Sequence, residues 1–156
     1  MPLVFDDRGL LPPGIHDATL AEVEETFARF QKSDRRLGLF DKLREYLAAL
    51  AKTDWAWSVL IDGSFVMPMV DEPNDIDLVL VLPADWDRTV LLRPFEYNVV
   101  SKKRVQQQFK FDLFAVPAGS ELEQRWIDFF SGVNVKWCNQ FGLPNDSRKG
   151  LVRVTK

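Results

Sequence analysis

The chain has 156 residues, is 46% apolar, and carries a net charge of −3 with one cysteine and one histidine. This length fits one domain, and so few cysteines and histidines exclude an internal disulfide and argue against a zinc site. No apolar run approaches the ~20 residues of a membrane span, and residues 1–7 lack the regions of a signal peptide. We therefore expect a soluble cytoplasmic protein with no membrane partner.

The charges are unevenly distributed along the chain. Residues 1–87 hold 8 Lys/Arg against 17 Asp/Glu, whereas residues 88–156 hold 12 against 6. Such a division suits a site with metal-holding acids on one side and phosphate-holding cations on the other, and it is equally compatible with chance segregation on a solvated surface.

The first 54 residues are predicted to be mainly helical. Thr19-Leu20-Ala21-Glu22 has the pattern of a capping box, and a first helix continues at helical spacing through Phe30. A second helix places apolar side chains on one face at Leu37, Phe40, Leu43, Leu47 and Leu50. We interpret residues 1–54 as a packing extension to the rest of a single domain.

The central segment, residues 55–117, is predicted to contain three strands and one helix. The strands cover residues 55–61, 75–82 and 109–116, because these runs are rich in apolar, β-branched and aromatic residues and end at turn residues. The helix covers residues 95–108.

The last segment, residues 118–156, is predicted to begin with a helix. Ser120-Glu121-Leu122-Glu123 has a second capping-box pattern, residues 132–149 look like a loop, and residues 150–155 can add a final strand. Helices and strands alternate along the chain, so we expect an α/β or α+β domain with a small mixed sheet flanked by helices.

Three aspartates in these apolar runs are the candidate catalytic residues and metal ligands. Alternation along the second strand places Asp75 and Asp77 on one face, roughly 7 Å apart, and Asp112 lies in the third strand. If those two strands are neighbours, the three carboxylates converge. Carboxylate oxygens select Mg²⁺ or Mn²⁺ rather than zinc.

A Gly63-Ser64 pair directly after the first strand is the candidate phosphate-binding element. Glycine lets the backbone approach a phosphate without a Cβ clash, and the serine can offer its hydroxyl and N–H. Lys102 and Arg104 on the predicted helix are candidate phosphate contacts, and a solvated helix face is the alternative explanation for them.

These residues together resemble a known signature. Gly63-Ser64, then ten residues, then Asp75-Ile76-Asp77, with Asp112 on a later strand, is similar to the DNA polymerase β-like nucleotidyltransferase superfamily. The nearest resemblance is to its minimal nucleotidyltransferases, small bacterial proteins found in toxin–antitoxin and phage-defence pairs. The resemblance covers residues 55–117, and Pro68 departs from it because many members continue there as a regular helix.

The resemblance implies a nucleotidyltransferase fold and activity. Two Mg²⁺ ions held by Asp75, Asp77 and Asp112 would serve transfer of AMP from ATP, or of another nucleotide from its triphosphate, to an acceptor hydroxyl. We expect the acceptor to lie on a partner protein, a cognate toxin or antitoxin, or on a second copy of the chain. A tRNA-modifying toxin, an enzyme acting on a small-molecule hydroxyl and a non-catalytic partner-binding module remain alternatives.

Overall fold

The protein is built around a five-stranded mixed sheet, seen in a computed structural model that describes residues 3–87 and 89–156. The order across the sheet is β1-β5-β2-β3-β4. The β1/β5 and β3/β4 pairs are parallel, whereas β2 runs antiparallel to β3 and β5. The strands are β1 (Ile15–Asp17), β2 (Ser58–Asp62), β3 (Asp77–Leu82), β4 (Asp112–Pro117) and β5 (Leu151–Thr155). The expected α+β class with a small mixed sheet is confirmed.

Within residues 3–87 and 89–156, six helices and one short 3₁₀ turn flank the sheet. The 3₁₀ turn is Gly63–Val66, and the helices are α1 (Leu20–Phe27), α2 (Arg35–Leu50), α3 (Pro94–Val100), α4 (Lys102–Phe109), α5 (Glu121–Ser131) and α6 (Val135–Phe141). The capping box at the start of α1 is confirmed, since Thr19 and Glu22 each bond the other's backbone N–H. Among the described residues, no helix has the length and apolar character required to cross a bilayer.

Both faces of the sheet are covered. On one face, Ile61 and Leu78 pack in the main core with residues of α1 to α4, so the N-terminal helices and the central strands share one core. On the other face, Leu60 and Val79 form a second cluster with Phe130 of α5. The strand β3 is buried on both faces. Asp77 is its first residue, and the five residues that follow are all apolar.

The predicted strands begin too early in the sequence. Residues 55–57 lie outside β2, where Trp55 packs edge-on against Trp86 instead of joining the ladder. Asp75 and Ile76 precede β3. The third predicted strand is wrong at its start as well, because residue 109 still belongs to α4 and Lys110 takes a left-handed conformation that ends the helix.

Several helix predictions also need correction. The helix expected over residues 95–108 is two helices, because Ser101 ends α3 and its hydroxyl caps α4 by accepting from the Arg104 N–H. The loop expected over residues 132–149 contains α6. Phe30 lies beyond the end of α1 and is exposed. The short strand β1 was not predicted, since its three residues carry no pattern of their own.

Candidate metal centre

Three aspartates stand in one row across the sheet. In the β2/β3 pairing Asp62 lies opposite Asp77, and in the β3/β4 pairing Asp77 lies opposite Asp112. Alternation places all three on the face that carries Leu60 and Val79, which is the face covered by α5. The register of three neighbouring strands therefore gathers acids at one end of the sheet.

Asp75, Asp77 and Asp112 form a group that can hold a metal ion. Each offers one carboxylate oxygen, and these oxygens all lie within 4.8 Å of one another. All three side chains are partly buried. The predicted convergence is present, but Asp75 reaches the group from the loop before β3 and not by strand alternation.

The electrostatics of this group favour a bound cation. Burial raises the pKa of Asp77 from 3.8 to about 6, and the charges of Asp75 and Asp112 add to the shift. Burial, followed by the charge of Asp112, also raises the pKa of Asp75. The carboxylates are thus poorly solvated and repel one another, and a divalent cation with a preference for oxygen ligands would relieve both costs. The donor set fits Mg²⁺ or Mn²⁺.

Gly63 and Ser64 lie beside the acids at the start of the 3₁₀ turn. Gly63 has a φ of +81°, and a Cβ atom built there would lie 2.5 Å from Oδ2 of Asp77. The glycine is therefore required by the Asp77 carboxylate as well as by its own backbone conformation. The segment after Ser64 is not a regular helix, because the turn ends at Val66 and Met67 is extended just before Pro68.

The buried Arg36 of α2 holds the segment that follows this turn. Its guanidinium donates to the carbonyl oxygens of Phe65 (2.7 Å), Met67 (2.7 Å) and Val70 (2.7 Å and 3.2 Å), and to that of Phe27 (3.3 Å). Burial lowers the pKa of Arg36 to about 10. The sequence analysis missed this residue, although Arg36 falls on the buried face of α2 at helical spacing from Phe40.

Two further buried titratable side chains, Asp62 and Lys149, interact electrostatically with Asp77. Asp62 is fully buried, and neither of its carboxylate oxygens has a hydrogen-bond partner in the described part of the chain. Burial raises the pKa of Asp62 well above the usual range, Asp77 adds to the shift, and Lys149 opposes it. Lys149 is 3% exposed, and its Nζ donates to the carbonyl oxygen of Phe130 (2.7 Å).

Sequence reasoning missed both members of this pair. Asp62 carried a usable signal, because it ends an apolar strand just as Asp112 begins one. Lys149 carried none, since it lies in an irregular segment before β5 and only the fold brings it to the acids. Burial lowers the pKa of Lys149, and the negative charges of Asp62 and Asp77 counter that shift.

A cleft of about 490 Å³ opens over the site. Its lining combines polar positions, Gly63, Ser64, Asp75, Asp77 and Lys149, with residues at the end of α5 and the start of α6. This volume lies within the usual range for small-molecule sites.

Lys102 and Arg104, the two predicted phosphate contacts, do not line the cleft among the described residues. Lys102 Nζ stands 4.2 Å from the centre of the Phe114 ring, on the face of β4 that also carries Asp112. The guanidinium of Arg104 lies 5.9 Å from the Tyr97 ring. Their contact with a phosphate stays a prediction.

Comparison with known proteins gives a family but no activity. No curated protein and no solved structure matches the chain. Residues 3–155 match a family of unknown function, DUF6932. Because that match covers the sheet, the helices and the candidate metal centre, the chain belongs to the DUF6932 family.

Proposed function

We propose that the protein is a metal-dependent nucleotidyltransferase that moves a nucleoside monophosphate, AMP in the first instance, from a triphosphate to a hydroxyl of a partner protein. The observation that carries this proposal is the convergence of Asp75, Asp77 and Asp112 within 4.8 Å. Asp75 and Asp77 share a cleft with the Gly63-Ser64 turn. The spacing of these residues in the sequence supports the same conclusion, because it resembles the nucleotidyltransferase signature.

In the proposed reaction the acceptor hydroxyl oxygen attacks the α-phosphorus, the bond to the pyrophosphate leaving group breaks, and the hydroxyl proton passes to solvent water. Asp75, Asp77 and Asp112 would hold Mg²⁺ or Mn²⁺. When bound, such ions lower the pKa of the hydroxyl and neutralise charge on the pyrophosphate. Asp112 orients the acceptor hydroxyl, and Ser64 donates to the triphosphate, whose approach Gly63 leaves open.

The charge of the chain favours a protein acceptor over RNA. The net charge is −3, whereas RNA binding draws its affinity from cationic side chains against phosphates. The excess of Lys and Arg in residues 88–156 makes tRNA the acceptor to compare in the same experiment.

The test is transfer of label from α-³²P-ATP. The protein is incubated with Mg²⁺ and, in separate tubes, with the product of the adjacent gene, with bulk tRNA, or alone. We expect labelled protein with the wild type, none with Asp77→Asn or Asp112→Asn, and wild-type labelling with Asp85→Asn, which removes an exposed acid outside the site. Label on tRNA alone would indicate that the acceptor is RNA and not a partner protein. No label in any tube would contradict the proposed activity and favour a non-catalytic binding module.

A further inference from the structure

One part of the cleft lining forms an apolar and aromatic wall. It is formed by the end of α5 and the start of α6, with Phe129, Phe130, Val133, Val135 and Trp137. The polar side carries Gly63-Ser64 and two of the acids. The same cleft thus combines a turn suited to phosphate, carboxylates suited to a metal ion, and an aromatic wall.

Two side chains of this wall are far more open than their apolar character would favour. Phe129 is 67% exposed and Val135 is 51% exposed. Phe129 is nevertheless held in place, because its ring packs edge-to-face on Phe130 (5.0 Å between centroids) and on Trp126 (5.8 Å). A fixed, exposed aromatic ring in a concave site is suited to stacking on a flat ligand.

The polar neighbour of this wall, Asn134, has one hydrogen-bonding group already committed. Its Oδ1 accepts from the Lys136 N–H (2.9 Å) and so caps α6. Asn134 lines the cleft, and its side-chain NH2 group remains as a donor for the ring nitrogens and carbonyl oxygens of a heterocycle.

We propose that this wall is the nucleobase subsite, with the base lying on Phe129 and Val135 while its triphosphate reaches Gly63-Ser64 and the acids. The inference rests on the proposed function. A nucleoside triphosphate is one molecule with an anionic end and a flat aromatic end, and the two sides of the cleft complement those two ends. An apolar segment of a partner protein would match the aromatic wall alone.

The test compares ATP with inorganic tripolyphosphate, which has the anionic end without the base. Binding of each is measured by calorimetry with Mn²⁺ for the wild type and Phe129→Ala. We expect ATP to bind more tightly than tripolyphosphate to the wild type. Loss of stacking in Phe129→Ala should weaken ATP about 5- to 150-fold and leave tripolyphosphate unchanged.

Phe30→Ala is the matched control, because Phe30 is 69% exposed and lies outside the cleft. If Phe129→Ala fails to fold, Val135→Ala provides the same comparison with a smaller loss, and Val90→Ala, at a site 57% exposed, is its control. Both controls should bind both ligands as the wild type does.

The outcomes separate this subsite from the proposed function. Equal affinity of the wild type for ATP and tripolyphosphate, or equal weakening of both in Phe129→Ala, would overturn the subsite alone, provided that Asp77→Asn still abolishes tripolyphosphate binding. Equal affinity would also favour a partner protein as the occupant of the wall. No binding of either ligand to the wild type would overturn the subsite and the nucleotidyltransferase proposal together.

Discussion

Gly63 and Asp77 are in such close contact that a Cβ atom on Gly63 would lie 2.5 Å from Oδ2 of Asp77. The turn after β2 and the acid at the start of β3 are therefore one structural unit. A side chain at position 63 would displace the Asp77 carboxylate even in the absence of a ligand.

Gly63→Ala should accordingly weaken metal binding. Displacement of Asp77 is expected to reduce Mn²⁺ affinity about tenfold or more, and the left-handed backbone should cost about 1–2 kcal/mol of stability. Gly119→Ala is the control, because Gly119 has a similar φ of +76° and, its chain neighbours aside, no atom of the described residues lies within 4 Å of the added Cβ. It should lose stability but keep Mn²⁺ affinity. Equal Mn²⁺ affinity in the two variants, measured by calorimetry, would show that Gly63 serves only its backbone conformation.

Arg36→Met should destabilise the protein strongly. The substitution leaves the buried carbonyl oxygens of Phe65 and Val70 without the guanidinium donor and that of Met67 with the Val70 N–H alone, which should cost about 3 kcal/mol or more in urea unfolding. The side chain of the neighbouring Arg35 is exposed, and among the described residues it donates only a long bond to the Asn74 carbonyl (3.5 Å). Arg35→Met should therefore change stability by no more than about 0.5 kcal/mol. Similar losses in both variants would contradict the role assigned to Arg36.

The raised pKa of Asp77 predicts how the stability of the metal-free protein depends on pH. Because this pKa rises from 3.8 to about 6 on folding, the folded state binds more protons than the unfolded state between these values. The contribution of protonated Asp77 to the free energy of unfolding is therefore fully present below about pH 4. It is lost as pH rises to about 6. In EDTA, the wild type should lose more unfolding free energy over this window than Asp77→Asn. Parallel curves for the two proteins would refute the shifted pKa.

Lys149→Met should move the pH dependence of metal binding upward. Lys149 lowers the pKa of Asp77, so its removal should raise that pKa further above about 6. A proton competes with the metal for Asp77, and a higher pH is then needed for half-maximal Mn²⁺ affinity. Lys103→Met, which removes an exposed lysine on α4, should leave the midpoint where it is in the wild type. An unchanged midpoint in Lys149→Met would mean that the buried lysine does not act on the acids.

The sequence was sufficient to predict the acids because each carries a local signal. Asp77 and Asp112 each begin an apolar strand, and a partly buried carboxylate in such a place needs a partner or a metal. The convergence of Asp75 with the other two acids was predicted correctly but from strand alternation. Asp75 in fact precedes β3 and reaches the group from a loop.

The remaining parts of the site depend on contacts between distant segments. Lys149 reaches the acids only because β5 pairs with β2, and no local pattern records that pairing. The buried role of Arg36 likewise depends on the path of residues 65–70. The helix α6 has only seven residues, too few to show a clear period, so the aromatic wall it helps to form was not predicted.

Asp75, Asp77 and Asp112 are proposed to hold a divalent cation at the Gly63-Ser64 turn. The most direct measurement is anomalous diffraction at the manganese edge from crystals of the protein grown with Mn²⁺ and a non-hydrolysable ATP analogue. We predict an anomalous peak within bonding distance of the three carboxylates, with the phosphates of the analogue against residues 63 and 64. A fully occupied manganese site elsewhere, or bound analogue with no peak at these carboxylates, would contradict the claim.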